Sequence, residues 1–157
     1  MIQRIQTIWL LLASVFISTL FLFPYLNFVN LEGFAGALKV IGEYGIVDGQ
    51  VTLVKTNVLQ LIGTIFLGLM PLYIITQYKN RKKQMALILL QMVLVVIFEV
   101  FLYFASNSTL AEHGKTMSTE NIGLGFFVLP IALIFLFLAH SAIKKDEKLI
   151  RSVDRLR

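Results

Sequence analysis

Long uncharged stretches alternate with short polar ones along this chain. No charged residue occurs in residues 5–31, 56–78 or 122–143, and residues 84–104 hold a single one, Glu99. Leu, Ile, Val and Phe dominate all four stretches. About 20 apolar residues of helix suffice to cross a bilayer core, so the pattern predicts spans at residues 7–28, 56–78, 84–104 and 122–143. A cleaved signal peptide is the rival reading of the first stretch. It exceeds an apolar signal region of about 7–15 residues, and no small-residue cleavage site follows it. We therefore expect an all-α membrane fold, a four-transmembrane-helix bundle forming a single domain over residues 1–157.

The segments between the stretches differ in kind. Residues 29–55 contain five glycines, Gly33, Gly36, Gly42, Gly45 and Gly49. Asp48-Gly49, flanked by β-branched residues, predicts a small hairpin, and the apolar residues 34–41 are expected to lie along the membrane surface or under a neighbouring loop. A second polar loop covers residues 105–121. Residues 144–157 read as a helical tail, with Leu149, Val153 and Leu156 on one face and Glu147 placed four before Arg151.

Charge then orients the whole. The short loop Lys79-Asn80-Arg81-Lys82-Lys83, Arg4 and the tail cations Lys144, Lys145, Lys148, Arg151, Arg155 and Arg157 hold eleven of the fourteen Lys and Arg residues. Only Lys39, Lys55 and Lys115 fall in the other two loops. Short loops rich in Lys and Arg stay on the cytoplasmic side, so both termini are expected there and residues 29–55 and 105–121 outside. The 57% hydrophobic content and mean hydropathy of +0.81 exceed those of an ordinary soluble domain. The net charge of +5 is accounted for by orientation and anionic headgroups, and nucleic acid is not an expected partner. With no cysteine, thiol chemistry and disulfides are excluded.

Small residues mark the expected packing faces. Ser14 and Ser18 are four apart, as are Thr64 and Gly68, with Gly63 widening the second face; such spacing lets helix backbones approach. The intramembrane polar candidates are Glu99, Gln91 and Gln60. Counted from Phe104 at about 1.5 Å per residue, Glu99 lies about 8 Å inside the outer boundary, where Gln60, Thr64 or Tyr25 could hydrogen-bond it. An acid within a span also reads as a proton, ion or partner site. Gln91, near mid-span, reads as an interhelical hydrogen bond. Lys79, Arg81, Lys82, Lys83, Lys148, Arg151 and Arg155 are candidate lipid or partner contacts. His113 and His140 fall on opposite sides and cannot share a metal, and no cofactor is expected. A nucleophile–base pair or paired carboxylates at one depth are missing from the pattern, which disfavours an enzyme.

The opening Met1-Ile2-Gln3-Arg4-Ile5-Gln6-Thr7-Ile8 with its Leu-rich continuation, and residues 146–157 at the close, resemble an uncharacterised family of small four-span bacterial inner-membrane proteins, classed as a domain of unknown function. The resemblance covers nearly the whole chain. It implies the four-span fold, a Gram-negative inner-membrane location and no assigned activity. The expected role is a non-enzymatic accessory or stabilising subunit of a larger inner-membrane complex, of the export, respiratory or envelope-biogenesis kind, contacting lipids and other subunits. The alternative is a small transporter or channel subunit with Glu99 as its titrating site.

Overall fold

The first helix stops where its sequence removes a donor. In the computed structural model, which describes residues 3–29, 35–47 and 50–154, helix α1 covers Gln3–Ser18 and tightens into a 3-10 turn over Thr19–Phe21. Pro24 has no N–H and disfavours helical geometry at Phe23 before it, and the chain turns into strand β1, Leu26–Val29. The span expected at residues 7–28 is therefore too long. Its last residues are strand, and the apolar helical part is Ile5–Phe21.

Three more strands follow: β2 (Ala35–Leu38), β3 (Gly42–Val47) and β4 (Gln50–Thr56). Together they form an antiparallel meander in the order β1-β2-β3-β4. Leu26 faces Leu38, Ala37 faces Tyr44 and Val47 faces Gln50. The expected hairpin is thus the second half of a larger sheet, with its Asp48-Gly49 turn outside the described residues. Residues 35–38, part of the stretch 34–41 expected along the membrane surface or under a neighbouring loop, are a strand of this sheet. Leu26 and Phe28 point into the core, whereas Asn27 and Val29 are exposed.

Helix α2, Val58–Thr76, runs through Pro71 and buries Gln60, Thr64, Leu67, Pro71 and Ile74 along one face. Helix α3, Arg81–Glu112, starts at Asn80, whose side chain accepts from the Lys83 amide at 3.1 Å. At about 1.5 Å per residue its 32 residues extend about 48 Å, beyond a hydrocarbon core of about 30 Å. The helix expected to end at Phe104 continues because Leu102, Ser106 and Leu110 prolong its buried stripe. Glu99's depth, counted from Phe104, loses its reference. Helix α4, Val128–Asp154, begins later than the expected residue 122, after a 3-10 turn at Leu124–Phe127. The tail continues it helically to Asp154.

Helix α1 packs against α2 and α4, and α3 packs against the same two. Ala13, Ala132 and Ala139 are among the fully buried positions, beside Leu10, Ile17, Leu129 and Leu136. Phe135 stacks on Trp9 and tilts against Phe16, with centroids 5.9 and 5.0 Å apart. Val58–Thr76, Arg81–Glu112 and Leu124–Leu149 are long and apolar enough to cross a membrane, while Ile5–Phe21 is apolar but shorter. Their outward positions, such as Phe66, Ile97 and Phe137, are apolar, and an apolar exterior is suited to lipid.

The start of α4 is latched to the end of α1. Gly123 donates to the Tyr25 carbonyl at 3.0 Å and Gly125 to that of Pro24 at 2.8 Å. A Cβ on Gly123 would sit 2.2 Å from the Pro24 oxygen, so only glycine permits this approach. Ile122 forms an isolated β-bridge with Leu26 at the start of β1.

Candidate functional site

The polar side chains inside the helices fall into a middle layer and two ends, one near the sheet and one near the basic loop. In the middle, α2 presents two consecutive carbonyls to two different helices. Ser14 on α1 donates to Gly68 at 2.7 Å, and Gln91 on α3 donates through Nε2 to Leu67 at 3.2 Å. Leu67 is the residue whose carbonyl would ordinarily accept from position 71, and Pro71 has no N–H. Gln91 fills that vacancy, which gives the expected interhelical bond a specific cause. Ser18 bonds the Ser14 carbonyl at 2.9 Å and lies opposite Gly68, where an added Cβ would meet Ser18 Oγ at 3.5 Å. The small-residue faces of α1 and α2 therefore meet each other.

Nearer the sheet, the buried Tyr25 hydroxyl donates to Gln60 Oε1 at 2.8 Å, and Asn57 donates to the same oxygen at 3.3 Å. Thr64 donates to the Gln60 carbonyl at 2.8 Å. Gly63 lies flat against Phe98, whose ring would be 2.6 Å from an added Cβ. Tyr25 lies beyond the end of its helix, and burial pushes its phenol well up, partly offset by the bond to Gln60.

Glu99 takes no part in that network. Both its carboxylate oxygens are buried and lack a hydrogen-bond partner among the described residues. The expected bonds to Gln60, Thr64 or Tyr25 are not formed, because those groups are engaged with one another. Gln84, Gln91 and Phe98, at seven-residue spacing, make the strip of α3 that meets α2. Glu99 lies about a quarter-turn round from that strip, in line with Met92 and Ser106.

At the sheet end, Glu43 Oε1 lies 3.0 Å from His113 Nε2, and Phe28 stacks on the imidazole with centroids 4.7 Å apart. This nearly buried pair joins β3 to the end of α3. Its members are 70 residues apart in sequence, so no local motif announces it. A cavity of about 980 Å³ opens between the sheet and the segment after α3, lined by Phe28, Tyr44, Ile46, Lys115, Glu120 and Asn121 among others. Lys55 and Glu112 form an exposed pair at 3.4 Å.

At the opposite end, Gln6 Nε2 donates to Asp146 Oδ2, tying α1 to α4, and Gln84 Nε2 donates to the Ile74 carbonyl at 3.3 Å. All three side chains are buried. Lys79, Lys82, Lys83 and Lys148 are exposed, whereas Arg81 is partly buried. Arg151 belongs to α4 with its side chain outside the described residues, and Arg155 lies outside them altogether.

Chemically the interior is a set of helix-to-helix hydrogen bonds. Ser14 and Ser18 spend their hydroxyl protons on carbonyls. Among the described residues, no group of three His, Asp or Glu side chains could hold a metal ion. No curated protein and no solved structure matches the chain. A family model matches residues 2–156, and by it the chain belongs to the family described as Domain of unknown function (DUF4293).

Proposed function

We propose that this is a four-span bacterial inner-membrane protein with both termini cytoplasmic, acting without catalysis as an accessory or stabilising subunit of a larger membrane complex. The four spans lie in the Ile5–Phe21 helix and in Val58–Thr76, Arg81–Glu112 and Leu124–Leu149. The orientation rests on the basic loop and tail. The observation that carries the subunit reading is β4. All seven of its residues are exposed, including Val51 at 73%, Val54 at 60% and Leu53 at 42%, and it is the sheet's outer edge. On the other edge, Ile122 bridges Leu26. Unpaired edges carrying apolar side chains are normally covered, and an extended segment of another envelope protein would continue the ladder.

The test uses full-length protein at native level, carrying a photocrosslinking residue at Val51 or Val54. We expect one membrane or envelope protein to be captured near stoichiometrically from both positions, and not from Ile134 on the apolar exterior of α4. Capture of a second copy of this chain, or no capture with a monomeric elution profile, overturns the subunit reading.

Glu99 favours the second reading, a small transporter or channel subunit, since its carboxylate has no structural partner among the described residues. Loss of a proton-coupled flux in liposomes on Glu99→Gln would establish that reading in place of the first.

A further inference from the structure

A second cavity, of about 440 Å³, lies where the start of α1, the end of α2 and the start of α3 converge. Its lining is mixed: Ile8, Ile75 and the ring of Tyr78 are apolar, and Gln6, Thr7, Gln84 and Arg81 are polar. Ile8 and Tyr78 are themselves more than half exposed, so the apolar lining is continuous with the outer surface of the helices. Of the polar residues, Arg81 has its Nη1 buried and without a hydrogen-bond partner among the described residues. A buried guanidinium nitrogen without an acceptor is costly, and the group it matches best is a planar or tetrahedral oxyanion.

The neighbours agree with an anion. Gln6 and Gln84 each commit one amide hydrogen, to Asp146 and to Ile74 respectively, and each retains a second N–H. Asp146, which accepts from Gln6 through Oδ2, does not line the cavity. Lys79, Lys82 and Lys83 stand exposed beside it and add attraction at a distance. The cavity therefore combines donors and positive charge with lipid-compatible apolar side chains.

We infer that this cavity binds the phosphate of an anionic phospholipid headgroup, with Arg81 as the direct ligand and the acyl chains lying along Ile8 and Ile75. The inference rests on the membrane reading above but not on any protein partner. Basic pockets between helices at the cytoplasmic face are suited to such headgroups.

The experiment is headgroup retention by the full-length protein, read by native mass spectrometry after reconstitution in nanodiscs of phosphatidylglycerol mixed with phosphatidylcholine. We expect preferential retention of phosphatidylglycerol, reduced about tenfold by Arg81→Gln and less than twofold by Lys82→Gln, which removes the same charge from an exposed site. Ile8→Trp, which fills the mouth without altering charge, should also reduce retention and covers the case in which Arg81→Gln does not fold. Equal losses from Arg81→Gln and Lys82→Gln overturn the site in favour of a general surface field. Competition by glycerol phosphate as effective as that by the lipid reassigns the pocket to a free phosphate ester and overturns the lipid assignment. Incorporation without headgroup preference defeats the inference alone, whereas failure to incorporate defeats the membrane reading with it.

Discussion

Gln91 supplies Leu67 with the N–H that Pro71 lacks. Proline in a spanning helix leaves one carbonyl without its ordinary donor, and in hydrocarbon no water replaces it. Here the amide of a neighbouring helix does so at 3.2 Å. Gln91→Leu should destabilise the protein by about 1–2 kcal/mol, whereas in a Pro71→Ala background the same change should cost much less. Unfolding in mixed detergent micelles, run as a double-mutant cycle, checks this. Equal costs in both backgrounds would separate the two residues.

Gly68 is the second close contact. An added methyl would meet Ser18 and Ile17 at ordinary van der Waals distances, 3.5 and 3.8 Å, so Gly68→Ala should fold. Gly68→Leu must push α1 away and lose the Ser14 bond, a cost of about 2–4 kcal/mol. Phe135→Leu trims a ring between Trp9 and Phe16 and should cost about 1–2 kcal/mol. Folded yield in mild detergent, compared across the three variants, would refute this ranking if Gly68→Leu matched the others.

Tyr25→Phe should cost about 1–2 kcal/mol, because Gln60 loses its shorter partner. It should also change the alkaline limb of stability. In the unfolded chain the phenol ionises near its ordinary value of about 10, while burial keeps it protonated in the fold. Its contribution is therefore complete below about pH 10 and falls as pH rises further, by about 1.4 kcal/mol per pH unit. Subtracting the variant's pH profile from the parent's isolates that slope; a flat difference would contradict it.

Glu99→Gln should leave the isolated protein as stable as the parent or about 1–2 kcal/mol more so. No hydrogen bond to the carboxylate is lost among the described residues, and a buried charge is replaced by a neutral group. A marked fall in unfolding free energy would mean that the acid is held by a structural contact after all.

What the sequence revealed depended on whether its signals were local. The basic loop, the small-residue faces of Ser14, Ser18 and Gly68, and the hairpin around residues 46–53 were all readable from neighbours along the chain. The end of α1 was not. Residues 22–29 are uncharged and mostly apolar, Asn27 apart, and such a run reads alike as helix or buried strand until a partner is known, here residues 35–38. The extension of α3 past Phe104 was missed because Ser106, Asn107 and Ser108 look like a loop, although Ser106 merely returns its hydroxyl to the Leu102 carbonyl at 2.9 Å. Glu43 with His113, and Gln6 with Asp146, join residues so distant that only the folded chain pairs them. Gln91's role was half visible: its type and depth suggested a bond, but only the structure puts it opposite Pro71.

The latch of Ile122, Gly123 and Gly125 onto residues 23–26 also imposes an order on biosynthesis. By the time β4 has been made, all four described strands of the sheet exist, yet the Leu26 backbone still lacks Ile122. That bridge must wait while α2, the basic loop and the whole of α3 leave the ribosome. During this interval the nascent protein presents two open strand edges. At β1 the Leu26 position is taken by Ile122 of the segment that leads into α4, and a strand paired there earlier would block the seating of α4.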